Sequence, residues 1–301
     1  MTTLHHATAH LTPVPPFDFA KTLDFLDGFS PAMGGHRRDG ETLTKAISVE
    51  GQTLVFRLRS EGSLDSPRLA CTLYADAPIK AALKAEALDQ IGFFLSLDDD
   101  LRPFYRLAEG DEAFAPVLDA LYGYHQLKFT SPFENAVWAL LSQRNLMSVS
   151  GKMKQALTER FGGTLEVGGV VYTAFPDPAR LALVTSYELA ETIGHGAKAV
   201  LIAGAAKAFD RVDEHWLRDA PTGEVEAWLK SIKGIGAWSA TFVLLRGLGR
   251  SEHLPVRERR TLEAAARVYG LISLDDEELR RLGARYGDYV GLWAHYLRAA
   301  A

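Results

Sequence analysis

The chain contains a single cysteine, Cys71, among its 301 residues. One thiol excludes an intrachain disulfide, a zinc site held by several cysteines and an iron–sulfur cluster held by four. No apolar run approaches the roughly 18 residues of a membrane helix, and the first residues lack the basic-then-apolar pattern of a secretory signal. We therefore expect a cytoplasmic protein in which Cys71 is a buried, inert thiol.

Several motifs of catalysis are also missing. The sequence has no Gly-x-Ser-x-Gly, no phosphate loop ending in Gly-Lys-Ser/Thr and no His-Glu-x-x-His, and its nine histidines show no metal-ligand spacing. His195 follows Gly194 in a turn, so we interpret it as a surface or helix-capping residue. Serine hydrolase, phosphate-loop and zinc protease chemistry are therefore poor descriptions of this chain.

The net charge of −5 counts mildly against nucleic-acid binding, because phosphate contacts need lysine and arginine. Local clustering matters more than the total, and the acidic runs at residues 98–100 and 275–278 lie outside the candidate site. The alternative for most members of any basic cluster is a solvated helix face. The basic residues in the candidate segments are Arg144, Lys152, Lys154, Lys230, Lys233, Arg246, Arg250, Arg257, Arg259 and Arg260.

The first hundred residues predict a small α+β domain. Residues 1–16 contain three prolines and are interpreted as a loose arm. Alternating apolar residues predict strands at 45–50 and 53–59, joined at Gly51-Gln52, and a third strand at 68–75. Residues 81–95 carry apolar side chains at helical spacing.

The remainder, residues 101–301, predicts a mostly α-helical domain with a short β-like exception at 170–173. Ser131, Pro132 and Glu134 stand at the N-cap, N1 and N3 positions of a helix that should end near residues 143–145. The other clear helices are expected at 149–161, 198–209 and 224–231. The fold class is therefore α+β, with a small β-sheet domain preceding a helical core.

Residues 231–247 are the most informative segment because they predict a helix, a glycine hairpin and a second helix. Gly234 and Gly236 allow a tight turn that exposes backbone amides where the second helix begins. A helix N-terminus with free N–H groups is a ready anion site. A nucleic-acid backbone is therefore the first ligand to consider, although a packing corner between two helices uses the same glycines.

Three segments occur in an order that resembles the helix–hairpin–helix DNA glycosylase superfamily: residues 133–152, 193–199 and 230–255. Within it, the chain is most similar to bacterial DNA-3-methyladenine glycosylase II, which also places a small β-rich domain before its helical core. The resemblance implies a monomer that binds double-stranded DNA containing damaged bases, turns the damaged nucleotide out and cleaves its glycosidic bond. It implies no metal or organic cofactor for that cleavage, and a cytoplasmic, nucleoid-associated location.

The resemblance also implies which residues contact DNA. Residues 142–146 match the loop that wedges into the duplex, with Gln143 and Arg144 as the wedge. Alternatively, Gln143 caps its own helix and Arg144 contacts a phosphate. The hairpin is expected to offer backbone amides to a phosphate, and carbonyls of Lys230, Ile232 and Ile235 match positions that hold a monovalent ion in relatives. The residues expected to contact DNA are Gln143, Arg144, Lys233, Gly234, Gly236 and Ala237.

The base pocket is expected to contain Trp238, Phe242 and Tyr289. In relatives that also cut the strand, a lysine nucleophile stands where this chain has Trp238, so the resemblance implies a monofunctional glycosylase. Trp238 and Phe242 would form an aromatic slot for electron-poor alkylated purines, unless both are core residues. Tyr289 is a looser match to a C-terminal aromatic of the pocket.

The catalytic aspartate of the family aligns with Arg257. A guanidinium beside a developing oxocarbenium ion reverses a favourable interaction, a difference of roughly 8 kcal/mol at about 4 Å and an effective dielectric constant near 20. Glu258 could supply the missing carboxylate after a shift of one residue, or it could simply favour the dipole of an ordinary helix start.

Three hypotheses follow. The first is a monofunctional DNA N-glycosylase that removes alkylated purines. The second is a catalytically altered relative that binds damaged or distorted DNA. The third is a helical scaffold without DNA, which the sequence isoelectric point near 6.0 favours.

Overall fold

The computed structural model describes residues 4–32 and 35–300. A five-stranded antiparallel sheet near the N-terminus has the strand order β1-β5-β4-β3-β2. Its strands are β1 (His5–Leu11), β2 (His36–Asp39), β3 (Thr42–Val49), β4 (Gln52–Ser60) and β5 (Leu69–Ala75). Helices α1 (Phe19–Gly28) and α2 (Ala81–Leu95) contribute side chains to the same apolar core as β3, β4 and β5. Cys71 is buried there, and burial raises the pKa of its thiol to about 12, as expected for an inert cysteine.

The loose arm expected for residues 1–16 is wrong for residues 5–11. This segment forms β1, which pairs with β5 from His5 opposite Ala75 to Leu11 opposite Leu69. Its small and polar residues carry little strand propensity, but the backbone pairs with an edge of β5 that would otherwise be open. The hairpin between β3 and β4 is confirmed, with Glu50 and Gly51 both at positive φ as a two-residue turn requires.

The rest of the described chain is helical. Its helices are α3 (Arg102–Ala108), α4 (Ala115–Ala120), α5 (Pro132–Ser142), α6 (Met147–Phe161), α7 (Pro178–Ala182), α8 (Ser186–Ile193), α9 (Gly196–Phe209), α10 (Glu214–Asp219), α11 (Thr222–Ser231), α12 (Ala237–Gly247), α13 (Arg259–Val268), α14 (Asp276–Gly283) and α15 (Val290–Ala299). A two-stranded ribbon of β6 (Thr164–Val167) and β7 (Val170–Thr173) lies between α6 and α7, and 3-10 turns occupy Ser30–Ala32 and Ala284–Tyr289. None of the helices in the described ranges is long and apolar enough to span a membrane.

Helix α5 lies at the centre of the helical core. It begins as predicted, because the Ser131 hydroxyl accepts the N–H of Glu134 at 3.1 Å and Pro132 stands at N1. Residues 132–141 are all buried, and the helix packs against α9 and α12 in one apolar cluster. A second cluster joins α3 and α4 to α13 and α15. The α+β fold class is therefore confirmed.

Candidate functional site

The hairpin formed by α11 and α12 has the predicted glycine turn. Gly234 has φ +94°, and a Cβ at this position would lie 2.9 Å from the side chain of Leu201 and 3.1 Å from that of Leu140. Only glycine therefore fits without strain. Gly236 is the N-cap of α12, and the backbone at Gly234, Gly236 and Ala237 is exposed. Nothing in the described part of the chain accepts a hydrogen bond from these three N–H groups, so they are free to bind an anion.

Lys198 fixes the loop of residues 142–146, between α5 and α6, to the protein core. Its buried ammonium group donates hydrogen bonds to the carbonyls of Leu140, Leu141 and Gln143 at 2.8, 2.9 and 2.8 Å. These carbonyls belong to the C-terminal end of α5, where a cation is favoured by the helix dipole. Desolvation lowers the pKa of Lys198. The backbone of the loop is thus fixed to the core.

Gln143 joins this loop to the hairpin. Its side-chain amide donates to the carbonyl of Gly234 at 2.8 Å and to the hydroxyl of Ser239 at 3.1 Å. Gln143 is the C-cap residue of α5, but its side chain bonds to the hairpin and not to its own helix, contrary to the alternative raised from the sequence. The loop and the hairpin form one continuous surface.

The tip of the loop presents a cation and an apolar side chain to solvent. Arg144 has φ +55° and an exposed side chain that makes no hydrogen bond or ion pair to the described residues. Leu146, two residues later, is 74% exposed. Lys233 is likewise exposed on the hairpin. Arg144 and Leu146 are therefore both exposed at the tip of the loop.

A cavity of about 560 Å³ opens beside the hairpin, a volume typical of small-molecule sites. Its walls come from α1, α5, α12 and α15 and from the segment that leads into α13. The lining includes Phe25, Phe29, Trp138, Trp238, Phe242, Arg246, Glu258, Arg260, His295 and Arg298. The cavity is thus aromatic and strongly charged at once.

One face of α12 supplies a wall of this cavity. Trp238, Phe242 and Arg246 follow each other at four-residue intervals and so lie on the same side of the helix. The rings of Trp238 and Phe242 are stacked, with centroids 5.3 Å apart and planes at 8°. The two rings thus form one stacked aromatic wall of the cavity. Trp238 is 39% exposed, so it is no ordinary core residue.

Arg246 lies at the inner end of that wall. Its guanidinium is 5.3 Å from the ring centroid of Phe25 and 4.8 Å from that of Phe29. One terminal nitrogen donates to the carbonyl of Leu127 at 3.0 Å, and the other contacts His295 Nδ1 at 2.8 Å. Its Nε is buried and has no partner in the described part of the molecule.

His295 is neutral in this setting. Because an arginine can only donate, His295 Nδ1 must accept, which leaves the proton on Nε2 to meet the Tyr124 hydroxyl at 3.0 Å. Burial, followed by the charge of Arg246, lowers the pKa of His295 well below its ordinary value. Burial also lowers the pKa of Arg246, to about 10, and this still leaves Arg246 charged at neutral pH.

Glu258 lies in the cavity and Arg257 does not. The Glu258 carboxylate accepts the Thr261 hydroxyl at 2.9 Å and pairs with Arg298, whose Nη1 is 2.9 Å and 3.0 Å from the two oxygens. Arg257 has φ +57°, its backbone N–H donates to Asp276 at 2.8 Å, and its side chain is exposed. The backbone turn at Arg257 therefore brings the next residue into the cavity.

Tyr289 lies outside the cavity, and the other expected residues lie at the ends of helices. Tyr289 ends a 3-10 turn and packs on Phe104, with ring centroids 6.1 Å apart, so it does not line the cavity. The carbonyl of Ile232 accepts the N–H of Ile235 at 3.0 Å, whereas those of Lys230 and Ile235 accept no backbone N–H within the described ranges. Such carbonyls suit a monovalent cation. His195 caps α9 by accepting the N–H of Lys198 at 3.3 Å, as expected.

Sequence reasoning missed much of the cavity. The four-residue spacing from Phe242 to Arg246 was visible on α12 and could have placed Arg246 on the same face. Phe25 lies in the last turn of α1 and Phe29 at its C-cap, and the sequence marks both only as apolar residues of a helical segment. The C-terminal residues His295 and Arg298 carry no local signal, because only the fold brings α15 to the cavity.

A helical hairpin beside an aromatic cavity, in a helical core that follows an antiparallel sheet, is a fold that this chain shares with solved structures of DNA glycosylases. A 3-methyladenine DNA glycosylase from Archaeoglobus fulgidus superposes with a TM-score of 0.81 over 96% of this chain and 97% of that one, at 21% identity. An 8-oxoguanine glycosylase/lyase from Clostridium acetobutylicum, in complex with double-stranded DNA, gives 0.70 over 99% and 96%, at 17% identity.

A curated relative adds a similarity at the level of sequence. The chain is 29% identical, over 181 residues, to a DNA-3-methyladenine glycosylase from Bacillus subtilis. The match covers 60% of this chain and 60% of that relative, so it spans less than two thirds of either protein. No protein-family model matches the chain.

Proposed function

We propose that the chain is a monofunctional DNA N-glycosylase that acts as a monomer on damaged double-stranded DNA at the nucleoid, with alkylated purines of the 3-methyladenine type as its first candidate substrates. One observation carries the proposal: a single cavity beside the hairpin holds both a stacked aromatic wall and the carboxylate of Glu258. An aromatic wall suits a base, and a carboxylate suits the cationic sugar that forms when the glycosidic bond breaks.

The hairpin and the loop at 142–146 would hold the DNA. The free amides of Gly234, Gly236 and Ala237 would bind a backbone phosphate, and Lys233 adds a positive charge on the same turn. A monovalent cation at the carbonyls of the turn would add a further positive charge near that phosphate. These contacts position the duplex without reading its sequence.

The loop would then fill the space that the damaged nucleotide leaves. Arg144 and the exposed Leu146 stand at its tip, and Lys198 and Gln143 hold its base against the core. A wedge must keep its position while the duplex is distorted, so a rigid base is what the task requires.

Glu258 would stabilise positive charge at the sugar as the bond to the base breaks, and would orient the attacking water. Arg298 and Thr261 fix the position of its carboxylate. Trp238 lines the cavity and stands where strand-cutting relatives have their lysine nucleophile, which supports a reaction completed by water.

A second candidate is a relative that binds damaged DNA without releasing the damaged base. The ion pair between Glu258 and Arg298 favours this alternative, because the guanidinium offsets part of the negative charge that the sugar cation requires.

Release of methylated bases from an alkylated duplex tests the proposal. Glu258→Gln removes the charge but keeps the size, and should lower release by at least about 100-fold. Glu263→Gln is the matched control, because Glu263 lies on the same helix and pairs with the exposed Arg259; it should release bases at the parental rate.

The other results of this assay are also informative. Equal release by the parent and Glu258→Gln would remove Glu258 from the mechanism. Absence of release together with retained binding would establish the second candidate. Binding that neither responds to salt nor weakens in Lys233→Ala and Arg144→Ala would support a scaffold without DNA.

A further inference from the structure

The cavity has more positive charge than a pocket for a cationic base should have. Arg246, Arg260 and Arg298 line it, and the carboxylates in its wall already have partners: Glu258 pairs with Arg298, and Asp24 pairs with Arg38 at 2.7 Å. Among the described residues, no carboxylate forms an ion pair with Arg246. Three arginines against two carboxylates among the lining residues leave a net positive charge around a base in this cavity.

Arg246 is more costly to bury than a purely structural residue should be. It is 2% exposed, and its Nε–H has no acceptor in the described part of the molecule. A buried donor without a partner is costly, and a buried cation without a counter-charge is more so. The Nε is itself enclosed by protein, so Arg246 would act on the contents of the cavity through its charge.

The charge also bears on how the base departs. When the bond between C1′ and the purine N9 breaks, its electron pair stays on the base. A cationic N-alkylated purine becomes neutral by this step, whereas an uncharged purine becomes an anion. A nearby guanidinium opposes the binding of a cationic N-alkylated purine, and it stabilises the anion that forms when an uncharged purine departs.

We propose that Arg246 makes the cavity select uncharged damaged purines over cationic N-alkylated purines. The inference rests on the glycosylase function proposed above, and it replaces the alkylated purines named there, which are cationic in the nucleotide, with uncharged damaged purines as the preferred substrates. In the reaction, the oxygen of water bonds to C1′ as the bond to N9 breaks, and the proton that water loses is balanced by the proton that the departing base gains. In this reaction Glu258 would act on the sugar and Arg246 on the base.

Two duplexes of identical sequence test this inference, one with a single hypoxanthine and one with a single 7-methylguanine. Both bases have a carbonyl oxygen at C6; they differ in charge, in the 7-methyl group and in the 2-amino group, so the Arg246 variant below is needed to isolate the effect of charge. Single-turnover release with excess protein is divided by the spontaneous loss from each duplex, because the cationic nucleotide is intrinsically less stable. The parent should give the larger enhancement for hypoxanthine, and a larger enhancement for 7-methylguanine would overturn the inference.

Arg246→Met tests the residue itself. Removing a unit charge about 7 Å from the base, at an effective dielectric constant of about 20, should change the ratio of the two enhancements by about 50-fold toward 7-methylguanine. Arg250→Met is the matched control, because Arg250 lies just beyond α12, binds the carbonyls of Leu217, Arg218 and Ala220, and does not line the cavity. It should leave the ratio unchanged.

The outcomes separate the two levels of the proposal. An unchanged ratio in a folded Arg246→Met protein would refute the role of Arg246 while leaving the glycosylase function intact. If that variant does not fold, the comparison of the two duplexes with the parent still decides whether the cavity prefers the uncharged base. No release of either base by the parent would refute the glycosylase function and this inference together.

Discussion

Replacing either glycine of the hairpin by alanine should affect stability very differently at the two positions. Gly234→Ala introduces a Cβ at φ +94°, where it would lie 2.9 Å from Leu201 and 3.1 Å from Leu140. Left-handed backbone costs about 1–2 kcal/mol and overpacking about 1–3 kcal/mol, so we expect a loss of about 2–5 kcal/mol. Gly236→Ala has φ −90° and places its Cβ in open space, so the free energy of unfolding should change by less than about 1 kcal/mol.

DNA binding should separate the pair further. The added methyl of Gly236→Ala stands at the N-terminus of α12, where a phosphate would approach the free amides, so affinity should fall by about tenfold although the protein stays folded. Urea unfolding gives the stability, and fluorescence anisotropy with a short duplex gives the affinity. Gly204→Ala, inside α9 and in open space, is the control and should bind as the parent does. Unaltered binding by Gly236→Ala would show that no phosphate reaches the hairpin amides.

Three further predictions concern single side chains. Arg257→Asp should leave base release unchanged within about threefold, because position 257 lies outside the cavity; a large gain in the release assay would make 257 the catalytic position. Lys198→Met removes the donor to three carbonyls and should cost about 2–4 kcal/mol in urea unfolding, whereas parental stability would refute its structural role. Burial of Lys45 lowers its pKa from 10.5 to about 8; the unfolded chain then binds more protons between these values, so stability should rise with pH over that window by up to about 1.4 kcal/mol per unit. The free energy of unfolding, measured across this pH range, should rise in the parent but not in Lys45→Met. An equal dependence on pH in both proteins would refute the role of Lys45.

Local signals were sufficient for the elements that define the fold. The cap at Ser131 and Pro132 located the start of α5, and the glycines located the turn between α11 and α12. Both features depend on backbone groups within a few residues, so the sequence determines them directly. The strand β1 was missed because its stability comes from pairing with β5, some sixty residues away.

The cavity could be predicted only in part for the same reason. Trp238 and Phe242 share one helix, and their spacing alone placed them on a common face. The position of Glu258 depends on a positive φ at Arg257, which a sequence pattern does not reveal for a residue other than glycine. Residues such as Arg298 reach the cavity from a distant helix, where no spacing rule applies.

Helix α12 connects the proposed phosphate site at its N-terminus to the proposed base pocket along its length. Its N-terminus carries the free amides, and the same face then presents Trp238, Phe242 and Arg246. At about 1.5 Å per residue, Trp238 and Arg246 are separated by about 12 Å along the axis. A phosphate bound at the N-terminus would therefore fix how deep its nucleotide, or a neighbouring one, can enter the cavity. Because one rigid helix sets this distance, a change in the turn at Gly234 should alter both phosphate binding and the position of the base against Arg246.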